Sequence, residues 1–227
     1  KSVVRESDNK KIEFKRNGNI ISFETEENET YYTVEFFNSE IENINIKEGD
    51  KILRPEDPYK KDFTFLGWFV DYECIVEYDF ETVVSDNINL YAKWQYNYEY
   101  KRNNKEIIIT KYVGNESKVN FPSTINDYKV VEISEYVIEH KENVTSIVIP
   151  DSVKRISASA FSDCNNISNI SVDERNSTYD SRNNCNGIII TETNELLIGC
   201  KNTIIPNTVT TIKDSAFKEC NKITEIT

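Results

Sequence analysis

The chain has 227 residues, with 39 acidic against 27 basic side chains and a net charge of −12. That surplus excludes a nucleic-acid reader, whose phosphate-binding face needs an excess of Lys and Arg. With 29 Ile but only 5 Leu and 4 Ala, stiff β-branched side chains dominate, and a helical bundle is excluded. No apolar run approaches the roughly 20 residues of a membrane helix, so no membrane insertion is expected of this segment.

Residues 1–30 read as an N-terminal β-hairpin extension. In KIEFKRNGNIISFE two alternating runs flank Asn17-Gly18, the dipeptide of a type I′ turn. The hairpin is either the tail of a preceding module or an added edge for the next one.

Residues 31–95 form a second segment with a different grammar. YYTVEFF alternates as a strand, Gly49-Asp50 marks a turn, and Pro55 and Pro58 force extended chain. FTFLGWFVD and INLYAKW close the segment, and Gly67 before Trp68 signals a bulge or a close backbone approach. Phe36, Phe65, Trp68, Tyr91 and Trp94 supply enough aromatic surface for a core. The series Val34-Phe36, Gly49-Pro55-Pro58, Phe65-Gly67-Trp68, Asp79-Phe80 and Leu90-Tyr91-Ala92-Trp94 resembles the Listeria–Bacteroides repeat, also seen as the internalin B-repeat. The resemblance implies a small β-grasp-like module that serves extracellular bacterial proteins as a spacer or interaction unit. A departure from it is NSEIEN, which stands where the family usually has a double-Gly turn.

Residues 96–227 repeat. Val144, Ile147 and Ile149 recur as Ile167, Ile170 and Val172, while Pro150, Ile156, Phe161 and Cys164 recur as Pro206, Ile212, Phe217 and Cys220. The first step is 23 residues and the second is 56, so one turn carries an insertion of about 33. Each unit is a short strand closed by Pro, followed by V-x-x-I-x-x-x-A-F. One unit cannot bury both apolar sets alone, so stacked units must share a continuous core. The expected fold is mainly β, with the small module followed by a solenoid of 23-residue repeats. The pattern resembles the BspA-type leucine-rich repeat, and the insert with Tyr179, Gly187 and IIITETNELLI also looks like that family. So does EIIITKYVGNESKVNFPSTINDYKVVEI, which resembles a first repeat whose β-hairpin caps the stack. Val137 and Ile138 replace the usual Ala-Phe, which predicts looser packing in that turn. The chain opens at Lys1 and stops in ITEIT as a strand begins, so an excised piece with further repeats is expected.

No catalytic, cofactor or metal site is expected. His140 is the only histidine and reads as a solvated loop residue, and no pair of the five Cys has C-x-x-C spacing. Cys164 and Cys220 occupy the repeat's own small buried position. Cys185 and Cys200 flank the inserted strand–turn–strand and read as free thiols, with a disulfide across it as the alternative. Six N-x-S/T sequons start at Asn28, Asn115, Asn143, Asn166, Asn169 and Asn176. They read as chance products of an Asn-rich chain rather than glycan acceptors.

What remains is surface. The residues between apolar anchors on the repeat strands are expected to point outward as a ligand face: Thr145, Ser146 and Val148; Ser168, Asn169 and Ser171; Thr224 and Glu225. The acidic loop from Glu40 to Glu48 and the PEDPYKKD stretch are further exposed candidates on the small module. The sequence thus reads as a fragment of a bacterial cell-surface or secreted protein that adheres, without catalysis, to a host or neighbouring-cell protein or glycan. The alternatives are a structural stalk displaying a distal domain, and an accessory region of a larger extracellular enzyme.

Overall fold

The computed structural model describes residues 29–162, 164–218 and 220, together with the backbone of the three strands that precede residue 29. Those strands are β1 (Ser2–Val4), β2 (Lys11–Asn17) and β3 (Ile20–Phe23), an antiparallel sheet in which Asn17 pairs with Ile20. The expected turn residue Gly18 lies outside the described residues. The chain divides into two compact units, Lys1–Pro58 with Leu66–Lys93, and Tyr59–Phe65 with Trp94–Thr227.

Residues 31–96 form one four-stranded sheet from β4 (Tyr31–Phe37), β5 (Ile44–Lys47), β6 (Phe63–Phe69) and β7 (Ile88–Tyr96), in the order β5-β4-β7-β6. β4 and β7 run parallel, with Val34 opposite Ile88 and Phe36 opposite Leu90. Alternation along the strands buries Val34, Phe36, Leu90 and Ala92, and Trp68 is only 1% exposed among them. The aromatic core is therefore smaller than expected. Tyr91 takes the opposite parity from Leu90 and Ala92 and stacks on Phe37 with ring centres 5.0 Å apart, while Phe65 and Trp94 meet edge to face at 5.4 Å, half-buried.

One further expectation for this segment is corrected. The Glu40–Glu48 stretch is not one loop, because Ile44 and Ile46 give it enough alternation to add β5 antiparallel to β4, with Ile44 opposite Val34. Where NSEIEN lacks the usual glycines, Asn38 adopts a φ of 59° itself. Asn is among the few non-Gly residues that tolerate this region.

The solenoid begins with an antiparallel hairpin of β8 (Tyr98–Asn103) and β9 (Glu106–Tyr112). Next come β10 (Lys118–Asn120), β11 (Thr124–Ile125), β12 (Tyr128–Ile133), β13 (Ser146–Ile149), β14 (Arg155–Ile156) and β15 (Asn169–Val172). Two parallel ladders result, one of β10-β13-β15 and one in which β12 pairs with both β9 and β14. Between them lies a continuous core that includes Ile109, Val119, Ile133, Val137, Ile138, Ile147, Ile149, Ala160, Phe161 and Ile170. Val137 and Ile138 are as buried as Ala160 and Phe161, so the expected looser turn is not found. Two branched side chains fill the layer that Ala and Phe fill one rung later.

The insert folds as β16 (Tyr179–Asp180), β17 (Gly187–Ile190) and β18 (Glu195–Gly199), followed by β19 (Thr211–Ile212) parallel to β18. Gly187 sits opposite Gly199, which places Asn186 opposite Cys200 and turns Cys185 to the other face. Accordingly Cys200 packs with Ile188 and Ile198, while Cys185 packs with Ile189 and Leu196. The two thiols are buried and free, with no disulfide across the hairpin. Among the described residues there is no α-helix, so the protein is mainly β.

Candidate binding face

The β10-β13-β15 ladder sets the geometry of the predicted face. Val119, Ile147 and Ile170 stand in one buried column, each no more than 2% exposed. Alternation then turns the flanking positions outward in two columns: Lys118, Ser146 and Asn169 in one, Asn120, Val148 and Ser171 in the other. Ser146, Val148, Asn169 and Ser171 are thus brought together in register. Thr224 and Glu225 lie outside the described residues.

Thr145 and Ser168 have a different task. Thr145 Oγ1 donates to the Ser117 carbonyl at 3.3 Å, and Ser168 Oγ donates to the Thr145 carbonyl at the same distance. Their hydroxyls bind each rung to the one before it. Asparagines do the same: Asn143 Nδ2 reaches the Asn115 carbonyl at 2.8 Å and Asn166 Nδ2 the Glu142 carbonyl at 2.6 Å. Asn176 goes further. It is 7% exposed, donates to the Pro150 and Val153 carbonyls at 2.8 and 2.9 Å, and accepts from the Thr178 and Tyr179 amides at 2.9 Å each. Three of the sequon asparagines are therefore clamps of the stack.

Lys118 and Asn120 escaped the sequence reading because the step from Ser117 to Thr145 is 28 residues, where the step from Thr145 to Ser168 is 23. The hairpin of β11 and β12 separates the first rung from the second. A signal was present: Val119-Asn120-Phe121-Pro122 echoes Ile147-Val148-Ile149-Pro150.

Charge gathers at the C-terminal end of these strands. Arg175 makes a bidentate pair with Asp173 through Nε at 3.0 Å and Nη2 at 2.9 Å, and lies 3.9 Å from Asp151. The guanidinium hydrogen bonds, with the Arg175 amide, hold the Asp173 carboxyl down at about 2. On the second ladder Arg155 donates to Glu132 at 2.7 Å and sits 4.0 Å from Glu106. In the insert, burial raises the Asp180 carboxyl, but bonds from Arg182 and Thr191 outweigh it and leave the group below its ordinary value.

His140 is exposed, with Glu139 at 3.9 Å. Among the described residues no three His, Cys, Asp or Glu side chains are grouped to hold a metal ion, and no helix is long and apolar enough to cross a membrane. Cys164 is buried and its thiol donates to the Ile138 carbonyl at 2.7 Å, a packing role for the repeat cysteine.

Stacked rungs with parallel strands of this repeat define a leucine-rich-repeat solenoid. The BspA type leucine rich repeat region model matches residues 95–197 and 196–227, in six copies, and the chain belongs to that family. The Listeria-Bacteroides repeat domain model matches residues 11–93, which takes in the β2–β3 hairpin. Two proteins of Evansella cellulosilytica, one named a membrane protein and the other a Gly-rich membrane protein, are 39% and 36% identical over 70 residues. Each alignment covers 29% of this chain, but only 10% and 8% of those proteins. The chain thus spans a small fraction of these relatives. Among solved structures, a leucine-rich repeat protein from Eubacterium ventriosum is 24% identical, covering 48% of this chain and 29% of its own, with a TM-score of 0.39. A leucine rich cell surface protein from Faecalibacterium prausnitzii is 25% identical, covering 56% and 34%, with a TM-score of 0.38.

Proposed function

We propose that this chain is a non-catalytic interaction segment of a bacterial cell-surface or secreted protein. The outward columns of β10, β13 and β15 engage a protein or glycan on a host or neighbouring cell. The β-grasp-like first module acts as a spacer on the N-terminal side of that solenoid in the chain. The names of the relatives, both membrane proteins, support the location. The observation that carries the reading is the register of the two columns. Six outward side chains from strands far apart in sequence are fixed on one hydrogen-bonded frame.

A frame of this kind presents contacts already ordered, so little conformational entropy is lost when a partner docks. Neighbouring strands stand about 4.8 Å apart, so each rung adds area toward the roughly 800 Å² per partner of a stable interface. Ser146→Tyr with Asn169→Tyr, in the intact chain, tests the assignment. Both positions are outward on the ladder, so circular dichroism should be unchanged. Saturable capture by immobilised matrix proteins or epithelial cells should be lost. Capture unaffected by the double substitution moves the role to another surface, and no capture by the folded parent chain favours a stalk.

A further inference from the structure

The turn that follows β6 is locked in shape, yet it leaves its apolar side chains in water. Residues 69–77 double back: Phe69 faces Glu77 across an antiparallel bridge, and the Val70 amide donates to the Val76 carbonyl at 3.0 Å. At the tip the Asp71 carboxylate accepts from the Ile75 amide at 3.0 Å and the Val76 amide at 2.8 Å. Those amides hold the Asp71 carboxyl below its ordinary value. Lys93 Nζ, from β7, donates to the Cys74 carbonyl at 3.0 Å, and Tyr72 stands edge to face on Tyr91 with ring centres 6.1 Å apart. Even so, Ile75 is 78% exposed, Tyr72 76% and Val76 57%. Side chains left in water forgo the burial that stabilises a fold, so the turn's own packing does not call for them. Of residues 71–79 four are acidic and none is basic, and Glu73, Glu77 and Asp79 are exposed.

We infer that this turn is a second interaction surface, whose tip enters an apolar pocket rimmed by lysine or arginine on a protein partner. It goes beyond the strand face and does not depend on it. Tyr72, Ile75 and Val76 supply the apolar anchor. The hydrogen bonds of the turn hold that anchor in place beforehand, so little conformational entropy is lost on docking. Charge selects the occupant. Glu73, Glu77 and Asp79 flank the anchor and match a basic rim, while the Lys93 ammonium is committed to Cys74. In a symmetric pair of these turns the carboxylates meet their own copies, and an anionic lipid surface meets them with like charge. Both occupants are disfavoured on that ground.

The test is a titration of the ¹⁵N-labelled full chain with amino-β-cyclodextrin, an apolar ring with an ammonium rim, beside its carboxymethyl counterpart. Tyr59 is an internal control, because it too is 76% exposed but is followed by Lys60 and Lys61. The amino host should give saturable shifts at residues 70–77, at least fivefold tighter than at Tyr59, and the carboxymethyl host should leave residues 70–77 unmoved. Glu73→Gln with Glu77→Gln should weaken the amino host at least threefold. Equal affinity at the two sites, or indifference to that double substitution, overturns the inference. Capture by immobilised matrix proteins and epithelial cells should also fall at least fivefold in the Tyr72→Ser, Ile75→Ser chain, with circular dichroism unchanged. Capture that survives there but is lost with Ser146→Tyr and Asn169→Tyr overturns the inference and leaves the strand face standing. Self-association in sedimentation, or co-sedimentation with phosphatidylserine vesicles, that disappears with Tyr72→Ser and Ile75→Ser gives the turn to a second copy or to lipid and overturns the protein partner.

Discussion

Replacing Asn176 by Ala removes four hydrogen bonds at once from a site that is 7% exposed. Each such bond contributes a net of roughly 0.5–1.5 kcal/mol, so the lost bonds alone give about 2–6 kcal/mol. Water cannot fully repair the loss on one side, because Pro150 and Val153 are themselves buried. The Thr178 amide, on a half-buried residue, is easier to resolvate. A central value of about 3–4 kcal/mol follows. For a unit of this size that is a fall in Tm on the order of 10–15 °C. Urea denaturation followed by circular dichroism, on the intact chain, measures it. Asn176→Asp sharpens the test, since it keeps both acceptor bonds but sets a carboxylate against two carbonyl oxygens. Burial and those carbonyls raise its folded pKa, so its penalty should be small at pH 4 and grow as pH rises toward 7. A loss under about 1 kcal/mol for Ala, or an Asp variant indifferent to pH, would refute the clamp role.

Three other outcomes follow from the same geometry. Alkylation of the native chain at pH 8 should modify the half-buried Cys74 first and Cys185 and Cys200 slowly, because burial and packing shield the latter two; mass spectrometry reads the order. Burial also pushes the Cys220 thiol up to about 11, so its modification rate should keep rising with pH up to that value instead of levelling off near pH 9. The Asp173 carboxyl should titrate near 2 by NMR and return to an ordinary value in Arg175→Ala. Its folded value is depressed, so the pair's contribution is present above about pH 4 and is lost as pH falls toward 2. Partner capture should weaken between low and 0.5 M salt, since a chain of net charge −12 draws basic partners by screened attraction; strengthening with salt would contradict the charge argument.

Much of the solenoid was legible because its signal is periodic. Ile147 and Ile170 face the core for the same reason that Ser146 and Asn169 do not, and one period of two fixes both. Lys118 and Asn120 were missed because a hairpin lengthens the first turn, and a search for equal steps passes over a 28-residue one. Thr145 and Ser168 looked like surface because a hydroxyl in sequence does not reveal its acceptor, which here is the carbonyl one rung back. The same blindness applies to Asn143, Asn166 and Asn176, whose amides are spent on the stack. In the small module the aromatic count overstated the core, since both Tyr91 and Trp68 read as core aromatics and only strand parity separates them, with Gly67 beside Trp68 at a φ of 140°.

The central claim is that the outward columns of β10, β13 and β15 form a binding surface. Its most direct measurement is saturable binding of the intact chain to immobilised matrix proteins, glycans and epithelial cells, beside the folded Ser146→Tyr, Asn169→Tyr chain. The account predicts saturable binding by the parent and at least a tenfold loss in the variant. Equal binding by both, or none by a parent chain shown to be folded, would contradict it.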